Sequence, residues 1–400
     1  MSFRATLAAM DRCLAVAASC AKVEECRICD RRINWFALLA LANRYLVAPA
    51  LWTALVQIEP LQQVPEDVRS YLALLHSRNA DRNARIRQQC IGLGAILMRG
   101  GIRAVLLKGA AWLFDDSVAP PLDRMMRDID LLIASDQIEA AVTTLVSAGY
   151  RDTCDSLIEQ PHLHHAPLLP SGGEASVKLH RDLSHRVNFL PSGDLIASAS
   201  EVAPGLLLPM ARHRIAHNVI HAQIENGNFV GGILNLRDAL DLARLVVRCG
   251  REFDWGTLAD EARDRGFFRH LSGAIHATHR FLDSPLPIPL ESLPARIHAW
   301  RCAHQRQWPV ANKIFENFGL LTHALAWDRN AYPLRLGTDR SRRNAYGSSR
   351  TRGHPQRPVV ASGWAGYSRL PRPNQGGAPT LLPTPDSPKT AHERRLNDPA

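Results

Sequence analysis

Lysine is nearly missing from this chain: only five of its 48 basic residues are Lys, so positive charge rests almost wholly on guanidinium groups. Long apolar runs are missing too. The most hydrophobic stretch, residues 35–56, is broken by Arg44 and Pro49, and it lacks the ~20 unbroken apolar residues a membrane span needs. No membrane association is expected. The run LAVAASC, residues 14–20, is too short for a leader core and follows Asp11 and Arg12, so it reads as helix. No second CxxC follows Cys26-Arg-Ile-Cys29, no HExxH accompanies the histidines, and no internal repeat is evident. A zinc ribbon and a zinc protease motif are thereby unsupported. Eight cysteines scattered over 400 residues suit reduced thiols in a cytoplasm rather than a disulfide framework.

The formal charge of +10 resembles a nucleic-acid signal until it is located. Residues 333–400 hold 12 Lys and Arg against 4 Asp and Glu, with 10 Pro and 7 Gly, so the other 332 residues are nearly neutral. This basic, Pro/Gly-rich segment has no helical or strand period and is expected to be a disordered tail. RNA contact through it would rest on charge alone, so nucleic acid is an unlikely partner.

Apolar spacing divides the rest. Residues 1–100 show a helical period and form a helical leader. Residues 101–205 mix strands near 103–107, 128–133, 150–153 and 176–180 with a short helix near 110–114 and a longer one opened by Ser135 and closed by Gly149. From 206 to 332 the pattern returns to helices, with Asp254 as an N-cap and Gly250 and Gly266 as stops. The whole reads as an α+β chain, a small mixed sheet flanked by N- and C-terminal helical regions.

Chemistry concentrates in residues 108–133, KGAAWLFDDSVAPPLDRMMRDIDLLI. In an extended strand Asp128 and Asp130 face the same side with Cα atoms roughly 7 Å apart, and Ile129 and Leu131-Leu132-Ile133 supply the apolar contacts of a buried strand. Two carboxylates so placed suit Mg²⁺. Upstream, an apolar strand runs into Lys108-Gly109-Ala110, where glycine lets backbone N–H groups approach phosphate oxygens and Lys108 adds a positive charge. Either part alone is weak, since Asp-x-Asp and Lys-Gly turns are common.

Together, strand, Gly turn, helix and Asp-x-Asp strand resemble the nucleotidyltransferase superfamily. LLKGAA, with Arg124 four residues before Asp128-Ile-Asp-Leu-Leu-Ile, is similar to a bacterial family of uncharacterised nucleotidyltransferases; Ile33 to Pro49, Arg82-Asn83, Val177-Lys-Leu-His180 and Leu236 to Ala243 follow in that family's order. The resemblance spans about residues 30–285. It implies transfer of NMP from a nucleoside triphosphate to an unidentified acceptor, a small molecule or a protein. Asp128 and Asp130 would be the catalytic, metal-binding pair, with Mg²⁺ as cofactor and Lys108, Gly109, Ala110 and Arg124 on the nucleotide. For Arg124 the alternatives are a phosphate contact or an ion pair with Asp128. His180 matches the family's Leu-His pattern and would contact substrate or brace its strand.

One departure bears on the chemistry. Where the family would place a third carboxylate the chain has Lys178, and the stand-ins nearby are Glu174 and Asp182. A catalytically impaired nucleotide-binding or scaffold module is therefore the alternative function. His213, His217 and His221 recur every fourth residue and read as a polar stripe packed against the sheet rather than as a zinc site, while His162, His164 and His165 read as loop or strand edge. Arg127, Asp115, Asp116 and Asp123 read as solvated or loop charges.

Overall fold

The computed structural model describes residues 3–22, 33–58, 61–115, 122–153 and 163–307. Cys26, Cys29, Asp116, His162 and the basic tail lie outside them. Four helices come first: α1 (Phe3–Ala17), α2 (Trp35–Arg44), α3 (Ala48–Leu55) and α4 (Glu66–Arg99). The Asn34 side chain caps α2 by accepting the Ala37 N–H at 3.0 Å, and Pro49 sits in the first turn of α3. Glu66 and Asp67 open α4 and Arg99 closes it, each at the dipole end that suits its sign.

The strands are β1 (Ala104–Leu106), β2 (Asp128–Leu132), β3 (Tyr150–Asp152), β4 (Leu168–Pro170), β5 (Ser176–His180), β6 (Ser200–Ala203) and β7 (Leu206–Leu208). They form one sheet in the order β3-β4-β5-β2-β1-β7-β6. Its centre mixes directions, with β2 antiparallel to β1 and parallel to β5, and β1 parallel to β7. The mixed α+β reading holds, and β1, β2, β3 and β5 lie where the sequence predicts strands. The sheet is wider than predicted: β4, β6 and β7 are extra, and β7 opens the region expected to be helical. Strands of three or four residues are too short to display an alternation.

Alternation along β2 sorts the two faces. Ile129, Leu131 and Ile133 join Leu106, Val177 and Leu179 in a core with Ile86, Leu93 and Leu97 of α4. Leu132 points the other way, with Val105 and Leu207, into a core shared with the helices that follow. The remaining helices are α5 (Lys108–Trp112), α6 (Ile138–Ser147) and α7 (Ser192–Ser198) between strands, then α8 (Ala211–Val219), which runs into a π-helical turn (Ile220–Glu225), α9 (Asn228–Gly231), α10 (Leu236–Cys249), α11 (Trp255–Asp264), α12 (Phe268–Leu282) and α13 (Leu293–Gln307). Asp254 caps α11 by accepting the Thr257 N–H at 2.8 Å, and Gly250 and Gly266 follow α10 and α11 at positive φ, as predicted. A third core joins α1, α2 and α3 to residues of α10, α12 and α13, so the described residues form one compact unit. Among the described residues no helix is long and apolar enough to cross a membrane.

The histidine row packs inward from α8 and its π-turn. Burial pushes His213 down to about 4 and His217 down to about 3, where the charges of Lys108 and His180 add to it, and holds His221 well below its ordinary value. All three are neutral at pH 7. Among the described residues no group of three or more His, Cys, Asp or Glu is arranged to hold a metal.

Two outcomes follow from this packing. A Cβ on Gly94 of α4 would meet the Pro204 carbonyl oxygen at 2.5 Å and Leu206 Cγ at 2.6 Å, whereas one on Gly92 would meet nothing within 4 Å. Gly94→Ala should lower stability by about 1–3 kcal/mol, and Gly92→Ala should raise it by about 0.5–1 kcal/mol; urea midpoints decide. Equal effects would contradict the close approach. The unfolded chain protonates its histidines near 6.5 while folded His217 does so only near 3, so between those values the unfolded state binds the extra proton and stability falls as pH falls. From pH 6.5 to 5 His217 alone contributes about 2 kcal/mol of that loss. Urea midpoints should therefore drop less steeply with acidification in His217→Asn than in the native chain, and identical slopes would disprove the buried, neutral imidazole.

Candidate functional site

Parallel pairing puts Asp128 beside Ser176, Asp130 beside Lys178 and Leu132 beside His180. Partners in register share a face, so Asp128, Asp130, Lys178 and His180 look toward the same side of the sheet, that of α8 and α10. Lys178 is ion-paired to Asp128 Oδ2. Asp130 Oδ1 accepts from Lys108 Nζ at 3.1 Å and from His180 Nε2–H at 2.8 Å. A carboxylate only accepts, which fixes the proton of His180 on Nε2.

These contacts govern the charges. Burial alone would raise the Asp130 carboxyl, yet Lys108, His180 and Lys178 outweigh it and hold it well below the usual carboxylate range. Burial pulls Lys178 down, but the Asp128 hydrogen bond and the charges of Asp128 and Asp130 leave it raised, a permanent ammonium unable to act as a base at neutral pH. His180 is lowered, chiefly by burial. Asp130 Oδ2 and Asp128 Oδ1 take part in none of these pairs.

Lys108 reaches Asp130 from the turn that ends β1. Its backbone is left-handed, φ 47°, a conformation that costs a non-glycine residue roughly 1–2 kcal/mol. Strain of this kind persists where the surroundings demand it. Gly109 is buried, and a Cβ there would overlap the Met126 side chain, two residues before Asp128. The glycine thus lets the turn lie against the chain leading into β2. Ala110 is buried as well, and its N–H donates to the Leu107 carbonyl at 3.1 Å.

Arg124 is ion-paired to Asp241 rather than to Asp128. Its Nε donates to both Asp241 oxygens at 2.9 Å and its Nη2 lies 2.8 Å from Oδ2, leaving Asp128 to Lys178. Asp123, expected as a loop charge, is buried and bonded by Arg244 Nη2 at 2.7 Å. Asp115 is buried too, paired with Arg214 and Arg248. Arg127 is exposed, as expected. Neither stand-in for a third carboxylate joins the site: Glu174 pairs with Arg85 of α4, and Asp182 accepts from Ser192 at 3.2 Å. The ring of His164 lies 5.2 Å from that of His180.

Beside this face lies a cleft of about 590 Å³, its mouth included, walled by Lys108, Arg124, His213, His217, Arg237 and Asp238 among others. The histidine row therefore lines a cleft as well as packing against the sheet, an outcome the stripe reading lacked. Sequence reasoning also missed Asp238 and Asp241 of α10. Two acids three residues apart, flanked by leucines and by Arg237 and Arg244, were the available signal. Burial raises the Asp238 carboxyl. Lys108 is the wall shared by the cleft and the carboxylate pair.

Comparison with known proteins gives the family. No curated protein and no solved structure matches the chain, but a family model described as uncharacterised nucleotidyltransferase matches residues 31–283. That span runs from the helices before the sheet, through both carboxylate and lysine strands, to the end of α12, and the chain belongs to this uncharacterised nucleotidyltransferase family.

Proposed function

We propose that the chain moves NMP from a nucleoside triphosphate to an acceptor hydroxyl with Mg²⁺ as cofactor. The acceptor hydroxyl gives its proton to solvent as its oxygen bonds the α-phosphorus, the bridging bond to the β-phosphate breaks, and pyrophosphate leaves with that electron pair. The observation behind this reading is the convergence of Asp128 and Asp130 on one strand face with Lys108 from the neighbouring turn.

The donor set suits the ion. Mg²⁺ uses one or two protein carboxylates and fills its shell with phosphate and water rather than sitting in an all-protein cage. Asp128 Oδ1 and Asp130 Oδ2, outside the lysine pairs, would hold it. Bound there, Mg²⁺ supplies Lewis-acid neutralisation of the phosphates. Lys108, one-quarter exposed on its side chain, would turn its remaining donors to phosphate oxygens. His180 fixes the rotamer of Asp130. The acceptor would enter along the cleft that Lys108 shares.

Lys178, standing where the family resemblance places an acid, favours one second reading, a module that binds nucleotide without turnover. Adding Mg²⁺ with each of the four common NTPs should raise the melting temperature, by about 2.7 kcal/mol of stabilisation at a hundred times Kd, and Asp128→Asn/Asp130→Asn should erase the rise. No shift with any NTP would refute both readings. Transfer of α-phosphate label into lysate by the native chain but not the double variant then selects the transferase.

A further inference from the structure

The lysine on β5 has a consequence for how many ions the site takes, resting on the nucleotide reading above. Asp128 and Asp130 each already meet an ammonium, Lys178 and Lys108 respectively. The four groups sum to zero charge. One divalent cation brings the cluster to +2 against the roughly −4 of an ionised triphosphate, so charge balance alone does not set the number of ions, and the register of the strands does. A second would bring it to +4, and it would have to sit against the Lys178 side, where the strand register puts an ammonium opposite Asp130. Among the described residues no third Asp, Glu, His or Cys joins the two carboxylates as a ligand group, and Glu174 and Asp182 are bound elsewhere.

The two lysines are also unusual for this chain. Five lysines occur in 400 residues, and two of them meet at one carboxylate pair. An ammonium is a compact, strongly hydrated point charge, closer to a metal ion in shape than a planar guanidinium. The Lys178 side chain is 30% exposed, so it can meet a ligand without leaving Asp128.

We propose that Lys178 stands in for a second divalent cation: the site binds a single ion at Asp128 and Asp130, and the Lys178 ammonium provides the other fixed positive charge against the polyphosphate. Lys178 is then a substrate-contacting residue, and the carboxylate it replaces is not needed to hold metal.

Manganese provides the count. The full-length chain would be titrated with Mn²⁺ at saturating α,β-methylene ATP, bound ion being obtained from the electron paramagnetic resonance signal of free Mn²⁺, with folding of each variant checked by circular dichroism. The native chain should bind one ion, and Lys178→Glu, with a third carboxylate beside the pair, should bind two. Lys178→Met should keep one ion and lose nucleotide affinity about tenfold. Two ions in the native chain would overturn the proposal while leaving the nucleotide reading intact, as would an unchanged affinity in Lys178→Met. No Mn²⁺-dependent nucleotide binding at all would overturn both. Should Lys178→Glu fail to fold, the native count and Lys178→Met decide the matter.

Discussion

A carboxylate that is 4% exposed and still ionised has to be compensated on the spot, and Asp130 is where this chain meets that demand. The compensation comes from three side chains on two elements. Lys108 arrives from the turn after β1, His180 from the end of β5, and Lys178 from the middle of β5. Each requires a particular strand order, with β2 between β1 and β5 and parallel to the latter. The left-handed Lys108 backbone follows from the same demand. An extended residue there would continue β1, so the chain accepts local strain to aim the ammonium back across the strand edge.

Around that centre a set of buried ion pairs ties the chain before β2 to the later helices. Arg124 reaches Asp241, Arg244 reaches Asp123, and Arg214 and Arg248 converge on Asp115. Buried pairs of this kind add little net stability, because desolvating both ions offsets much of their attraction, but removing one partner strands the other. Their contribution is registry. They hold α8 and α10 against the entry to β2, so the wall carrying His217 and Asp238 keeps its place beside Lys108.

What could be read in advance was local. Same-side placement of Asp128 and Asp130 follows from the two-residue period of a strand, and Asp254, Gly250 and Gly266 announce helix ends through capping chemistry. Lys178 was visible as a departure only through the family resemblance, which places an acid at that position of the strand. Contacts at long separation were illegible. Nothing within twenty residues of Arg124 points to Asp241, 117 positions on, and the fourfold spacing of His213, His217 and His221 shows a shared helix face without showing what that face meets. Asp115 and Asp123 do lie in loops, but their burial and pairing went unread for the same reason: their arginines come from helices 99 to 133 residues later.

The division of labour between the two kinds of cation explains why lysine appears here in a chain that otherwise prefers arginine. A guanidinium fork can saturate a carboxylate: Arg124 engages both oxygens of Asp241, and both oxygens of Asp115 are taken by Arg248, with Arg214 sharing one, whereas Arg244 takes only Oδ2 of Asp123. Asp241 and Asp115 are thereby closed and serve as braces. An ammonium makes a single-point contact, so Lys108 takes only Oδ1 of Asp130 and Lys178 only Oδ2 of Asp128. Each of these acids keeps an oxygen outside its lysine pair, on the face that looks toward the cleft side of the sheet. Arginine at position 108 or 178 could supply the same charge, but a bidentate fork of the kind Arg124 and Arg248 make would close the remaining oxygen and turn a ligand-ready pair into two more braces.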